Sequence, residues 1–279
     1  VNNVAVIGIG KFGQYHAEKY SQIPGVNLCL VDIHKERAER LAEKLGATFT
    51  NDYRTLTNMD YVSVVTPDET HHEVAKHFIR SKANVLIEKP MTINLDDADQ
   101  LFVLAKLYEV KLLIGHLERF NSEYLQIKQG KCLMADCNPK YIKAWRSNNG
   151  RDYDRENCDV VTDLMLHDID LILDLVGEPI KYIQAKGLKN DLGKHYYAKA
   201  RVVFANGVIA DLTADRISKG KHAIINIISN GHNHRIDLLK KSNDTLADEL
   251  NHFLNGAYSN FQTAREALRV AFDIMESIR

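Results

Sequence analysis

Asp163 and His167 stand four residues apart in TDLMLHDID, and Asp170 follows three residues later. On a helix such spacing puts side chains on one face. A carboxylate beside an imidazole orients the ring and favours its charged form, which suits proton transfer near neutral pH. The same spacing also fits a plain surface pair or a histidine buried against a sheet. Met165 between them reads as core filling. Two further stretches end apolar runs with chemically able side chains. LIEKPM places Lys89 between Glu88 and Pro90, and VVTPDETHHE leads from Thr66 and Pro67 to His71 and His72. Read alone, Lys89 is a solvated loop lysine. Open α/β sheets, however, bind ligands beyond the carboxyl ends of their strands, where both stretches lie.

The stretch AVIGIGKFGQYHAEKY supplies the reason to expect such a sheet. Gly8, Gly10 and Gly13 stand in the spacing G-x-G-x-x-G, with Lys11 and Phe12 between them. In a dinucleotide fold one glycine makes the tight turn, one lets backbone approach a pyrophosphate, and one lets the helix pack closely on the strand. The helix N-terminus offers free N–H groups to the phosphates. The spacing alone is weak, but here it follows a buried-strand pattern and opens a helical one. Asp32, at the end of LCLVD, stands where a carboxylate would meet the adenosine ribose hydroxyls, roughly ~20 residues on. A carboxylate there repels a 2′-phosphate, so NAD is expected over NADP. The adjacent His34 and Lys35 soften that preference and leave NADP open.

These residues need elements to hold them. VAVIGI, VNLCLVD, DYVSVVTP, NVLIEKP and VKLLIG read as strands, alternating with helical stretches such as ERAERLAEKLG and LDDADQLFVLAKLYE, the latter capped by Asn94. Regular alternation predicts a parallel sheet covered on both faces. After about Gly115 the rhythm changes. NSEYLQIKQG reads as a helix and VVTDLMLHDIDLILDLVG as one long helix. Strand pairs then surround Asn206–Gly207 and Asn230–Gly231, the favoured residues of two-residue hairpin turns. Two helical stretches close the chain. The expected fold is therefore α/β, an N-terminal Rossmann-type doubly wound parallel sheet in residues 1–118, followed by an α+β domain with a mostly antiparallel sheet in residues 119–279.

Composition narrows the partners. Across 279 residues, 36 Lys+Arg balance 37 Asp+Glu, so no basic surplus exists to neutralise a nucleic-acid backbone. No apolar run is long enough to span a bilayer. Cys29, Cys132, Cys137 and Cys158 lack metal-ligand pairing, so no metal is expected, and Cys29 reads as a small core residue. A cytoplasmic setting fits this composition.

The glycine loop, VVTPDETHHE, LIEKPM and DLMLHDIDLILDLVG, in this order, resemble the Gfo/Idh/MocA oxidoreductases over nearly the whole chain. The resemblance implies an NAD-binding Rossmann domain and a C-terminal domain whose open sheet forms the subunit interface of a homodimer or homotetramer. It implies that Lys89 lies beside the reacting carbon, and that Asp163 and His167 match the family's D-x-x-x-H, with the histidine accepting the proton. By the same resemblance Glu88, Pro90, Thr66, Pro67 and His71 line the nicotinamide side. GHLERFNSEY followed by VVTDLMLHDIDLIL is similar to a compact branch typified by UDP-N-acetylglucosamine 3-dehydrogenase. His116, Glu118, Arg119 and Asn121 are then candidates for binding substrate, with the fork of Arg119 meeting a diphosphate or sugar oxygen. A structural pair of Glu118 with Arg119 fits that stretch equally well. RENCDVVTD lacks the glycine-rich run that many members carry there, and the C-terminal half is short for the family. The leading expectation is an NAD-dependent dehydrogenase acting on a sugar secondary alcohol, C3 of a UDP-linked N-acetyl amino sugar. A free polyol, an inositol or another small carbonyl or imine is the alternative substrate. A non-catalytic NAD-binding regulator is the rival of another class, and the joint presence of Lys89, Asp163 and His167 argues against it.

Overall fold

A computed structural model describes residues 1–129, 139–148, 157–229, 232–256 and 259–278. The expected turn at Asn230–Gly231, together with Cys132 and Cys137, lies outside the described residues. The chain divides into two compact units, Val1–Leu117 with Thr245–Ala264, and Glu118–Asp244 with Arg265–Arg279.

The first unit is built on six parallel strands, β1 (Asn2–Ile7), β2 (Val26–Val31), β3 (Thr48–Thr50), β4 (Tyr61–Val64), β5 (Asn84–Glu88) and β6 (Leu112–Gly115), in the order β3-β2-β1-β4-β5-β6. The helices α1 (Lys11–Tyr20), α2 (Lys35–Leu45), α3 (His71–Arg80) and α4 (Leu95–Leu107) alternate with them. Strands buried on both faces explain the continuous apolar runs, since Val4, Val6, Leu30, Val85 and Ile87 have no exposed surface. Each such side chain contributes roughly 1.5–3 kcal/mol by leaving water. Asn94 caps α4 as expected, its side chain accepting from Asp97 N at 2.8 Å. The sheet order reverses between β1 and β4, and the loops after these strands flank the crevice where such sheets bind ligands.

The second unit holds α5 (Ser122–Lys128), β7 (Tyr141–Ser147), a π-helical segment Val161–Met165 running into α6 (Leu166–Val176), and the strands β8 (Ile180–Lys189), β9 (His195–Phe204), β10 (Ile209–Asp215), β11 (His222–Ser229) and β12 (His232–Asp237). Its six-stranded sheet runs β12-β11-β7-β10-β9-β8, antiparallel except for the parallel neighbours β7 and β10. The hairpin at Asn206–Gly207 forms, with a different turn. Phe204 N donates to Val208 O at 2.9 Å and only Gly207 has a positive φ, +86°, which makes a three-residue loop instead of the expected two-residue turn.

The closing helices α7 (Thr245–Asn255) and α8 (Phe261–Ser277) do not both belong to the second unit, as a boundary at 118/119 implied. Leu246, Leu250, Phe253 and Leu254 of α7 join the core of the first unit with Val4, Val6 and Leu30, whereas Ala267, Val270 and Ile274 of α8 join the core of the second. Among the described residues no helix is long and apolar enough to cross a membrane.

Candidate active site

The glycine loop follows β1 and opens α1, and the three glycines do different work. Gly8 has φ +92°, and a Cβ there would lie 2.6 Å from the Val65 carbonyl oxygen. A Cβ on Gly13 would lie 1.9 Å from the Gly8 carbonyl oxygen, so only glycine lets α1 pack this close to the loop. Gly10 differs, because nothing lies within 4 Å of a Cβ built there. It caps α1 with no side-chain hydrogen bond, and the first turn carries no acidic residue. The helix start is thus open, uncapped and electropositive, which is what a pyrophosphate needs.

Asp32, at the end of β2, is buried and tied to this loop. Its Oδ2 accepts from Ile9 N at 2.8 Å and its Oδ1 from His34 N at 2.9 Å. Arg37 also reaches Oδ2, at 3.2 Å, a partner that sequence reading missed in favour of His34 and Lys35. The cradle fits a dinucleotide and predicts two distinct outcomes. Gly10→Ala is expected to leave the melting temperature unchanged while weakening NADH binding at least about tenfold, or about 1.4 kcal/mol. Gly13→Ala is expected to lose both. Fluorescence titration with NADH, beside thermal unfolding, checks the pair.

The loops after β4 and β5 bring the other candidates of the first unit together. His71 is buried, with Nε2 2.8 Å from Thr66 O and Nδ1 2.9 Å from Pro90 O. Carbonyl oxygens only accept, so both contacts are hydrogen bonds only when both ring nitrogens carry protons. His71 thereby straps the Thr66–Pro67 loop to the loop holding Lys89, whose bond to Pro90 is cis. The carboxylate of Glu88 is lodged where a side chain on Gly115 would stand, 2.6 Å from that missing Cβ. It lies 3.1 Å from His16 Nε2 and accepts from Lys89 N at 3.2 Å. Lys89 itself is half-buried, and His116 is buried just beyond β6.

In the second unit, Asp163 lies in the π-helical segment and His167 at the second position of α6, so the expected single regular helix is replaced by a wider turn that runs into an α-helix. Both residues are half-buried. Asp163 Oδ2 accepts from Arg216 Nη2 at 3.1 Å and Nη1 at 3.3 Å. Asp159 anchors the start of the segment, its Oδ1 accepting from Val161 N at 3.0 Å while Oδ2 lies 2.6 Å from His195 Nδ1.

The stretch from Glu118 to Asn121 requires correction. Arg119 is buried and donates to both oxygens of Asp170, at 2.6 and 2.7 Å, and to Asp174 at 3.1 Å. Its fork therefore holds α6, and the expected contact with a diphosphate or sugar gives way to a structural role. Glu118 does not take Arg119 as its partner either; its Oε1 accepts from Arg146 Nη1 at 3.2 Å, and Arg146 Nη2 also donates to Asp168 at 2.8 Å. Burial pushes the Asp168 carboxyl above its ordinary value, against the pull of Arg146. Asn121, with no exposed surface, caps α5 by accepting from Glu123 N at 3.0 Å and donates to Leu238 O at 3.0 Å. Asp170, expected on the face of His167, is the anchor of Arg119.

Comparison with known proteins bears on this arrangement. A family model described as "Oxidoreductase family, NAD-binding Rossmann fold" (GFO_IDH_MocA) matches residues 2–116. UDP-N-acetylglucosamine 3-dehydrogenase of Acidithiobacillus ferrooxidans is 35% identical over 217 residues, an alignment covering 76% of this chain and 66% of that protein. The chain belongs to the Gfo/Idh/MocA oxidoreductases. The NAD-dependent scyllo-inositol 2-dehydrogenase of Bacillus subtilis is 28% identical over 235 residues, covering 79% of this chain and 69% of that one. The solved structure of the Acidithiobacillus ferrooxidans enzyme superposes with a TM-score of 0.91 at 28% identity, over 99% of this chain and 97% of that one. As a Gfo/Idh/MocA member the chain is an NAD-binding oxidoreductase.

Three residues of these sites were not singled out from sequence. Arg37, in the first turn of α2, pairs with Asp32, and Arg216, just after β10, pairs with Asp163, contacts that no local pattern announced. His16 had a readable signal, for Gly13, His16, Ala17 and Tyr20 form one buried face of α1 at helical spacing.

Proposed function

We propose that this protein transfers a hydride between NAD and a secondary alcohol of a nucleotide-linked sugar, C3 of a UDP-N-acetyl amino sugar. The observation that carries the substrate is the 35% identity to a UDP-N-acetylglucosamine 3-dehydrogenase, supported by the match of the whole fold to that enzyme's structure. NAD, when bound, supplies the hydride acceptor. Gly8, Gly10, Lys11, Phe12 and Gly13 hold its pyrophosphate, and Asp32 its adenosine ribose. Thr66, Pro67, His71, Glu88 and Pro90 shape the nicotinamide side. His167 accepts the hydroxyl proton, and Asp163 orients the imidazole. Arg216 moderates that carboxylate's charge, so that Asp163 orients more than it attracts the proton. Lys89 polarises the substrate oxygen or shares its proton. His116 and Glu118 remain candidate substrate contacts, and the sheet of the second unit is the proposed surface for a homodimer or homotetramer.

A second reading, oxidation of an inositol, is favoured by the 28% identity to scyllo-inositol 2-dehydrogenase. Incubation with NAD and a panel of UDP-N-acetylglucosamine, scyllo-inositol and myo-inositol, with carbonyl trapping and mass spectrometry of products, separates the two. A trapped 3-keto nucleotide sugar supports the first reading. A trapped inosose without a keto nucleotide sugar replaces it with the second.

A further inference from the structure

The helix that receives the pyrophosphate and the loop that carries Lys89 are joined by a buried polar contact to which the proposed chemistry assigns no role. His16 lies on the inner face of α1, with no exposed surface, one turn beyond the glycine loop. The Phe12 ring of that loop packs edge-on against its imidazole, with centroids 5.3 Å apart. On the other side His16 Nε2 is 3.1 Å from Glu88 Oε1, while Glu88 Oε2 accepts from the backbone N–H of Lys89 at 3.2 Å. Both carboxylate oxygens are thus engaged, one by each structure to be joined. The space for the carboxylate exists only because residue 115 is glycine.

The ring's hydrogen bonding follows from its surroundings. His16 Nδ1 is buried and has no hydrogen-bond partner among the described residues. A proton on Nε2 alone satisfies Glu88, whereas a second proton on Nδ1 would be a buried donor without an acceptor. A ring with its proton on Nε2, donating to Glu88, therefore leaves no buried donor unsatisfied. A buried donor–acceptor pair of this kind gives a directional link between the two elements.

We propose that His16 is a positioning residue for Lys89, acting through Glu88, so that the seating of the glycine loop and the placing of the lysine backbone are one mechanical unit. The proposal rests on the reading of Lys89 as a residue of the active site. His16→Leu removes the donor and keeps a buried apolar shape. His16→Gln places an amide N–H donor at similar reach. The Leu variant is expected to lose at least about thirtyfold in kcat with less than a threefold change in KM for the sugar, and the Gln variant to recover most of that loss. Glu88→Gln serves as a second variant if His16→Leu does not fold, and should reproduce the loss in kcat. In the double variant the two losses should not multiply.

A readout that needs no substrate accompanies these. The rate at which acetic anhydride acylates Lys89, relative to the other lysines of the same sample, is read by peptide mass spectrometry with and without NADH. In the natural protein NADH is expected to change the relative rate at Lys89, and in His16→Leu that response should be lost while NADH still binds. His16→Gln should restore it. A Lys89 response that persists in folded His16→Leu and in Glu88→Gln overturns the proposal. A natural protein that oxidises no sugar, yet shows this His16-dependent response, overturns the functional reading and leaves the coupling standing.

Discussion

Replacing His167 with Asn is expected to lower kcat by a factor of about 10² to 10⁴, the range for loss of a general base. NADH binding should stay within twofold of the natural protein, because the proposed cofactor residues, the glycines and Asp32, do not include His167. The half-buried imidazole makes the substitution tolerable for folding, so thermal unfolding should move little. Asp163→Asn should give a smaller loss in kcat and a shifted pH profile, since the amide keeps the shape but not the charge that faces Arg216. Stopped-flow measurement of the first turnover separates the chemical step from product release. An undiminished burst in His167→Asn would remove His167 from proton transfer and leave cofactor binding untouched.

The second large effect is on stability. Asp170→Ala is expected to destabilise the second unit by about 3–5 kcal/mol, the usual result of stripping one partner from a buried ion pair. Asp170 is almost fully buried and accepts two hydrogen bonds from Arg119, in the parallel arrangement that makes such pairs strong. Asp174, Tyr124 and Lys128 extend the same network, with Asp174 accepting from Arg119 Nη1 at 3.1 Å. Burial would raise the Asp174 carboxyl, but Arg119, Lys128 and Tyr124 outweigh it and hold the group below its ordinary value. A midpoint of unfolding lowered by about 10 °C is the corresponding observation. Arg119→Lys distinguishes this structural role from substrate binding. Loss of thermal stability with an unchanged KM supports it, and a raised KM with unchanged stability contradicts it.

The parallel half of the molecule was legible because its physics is local. A strand buried on both faces must be apolar at every position, as in Val4–Val6 and Val85–Ile87, and a glycine whose Cβ would strike a carbonyl is fixed by its own loop. What was missed is held by partners far along the chain. Arg119 meets Asp170 across 51 residues and Arg216 meets Asp163 across 53, and nothing near either arginine announces its carboxylate. The edge strand β3 is short and only partly buried, so it carries too few apolar residues to be read as a strand. Strand β7 was not recognised, although it pairs with β10 in parallel inside an otherwise antiparallel sheet. The π-helical segment Val161–Met165 has an ordinary helical pattern, since widening a single turn leaves the apolar rhythm almost intact. Helix α7 shows the same limit at domain scale. Its apolar stripe was visible as a stripe, but Leu246 and Phe253 do not state which core they enter.

The most direct test of the central claim is nicotinamide absorbance after mixing the purified protein with NAD and UDP-N-acetylglucosamine. An aminotransferase with glutamate is included to draw off the keto sugar, because oxidation of such an alcohol is unfavourable alone. NADH formed by the natural protein, and lost in His167→Asn, is the result expected. No NADH with the nucleotide sugar, but NADH with scyllo-inositol or myo-inositol, would contradict the proposed substrate.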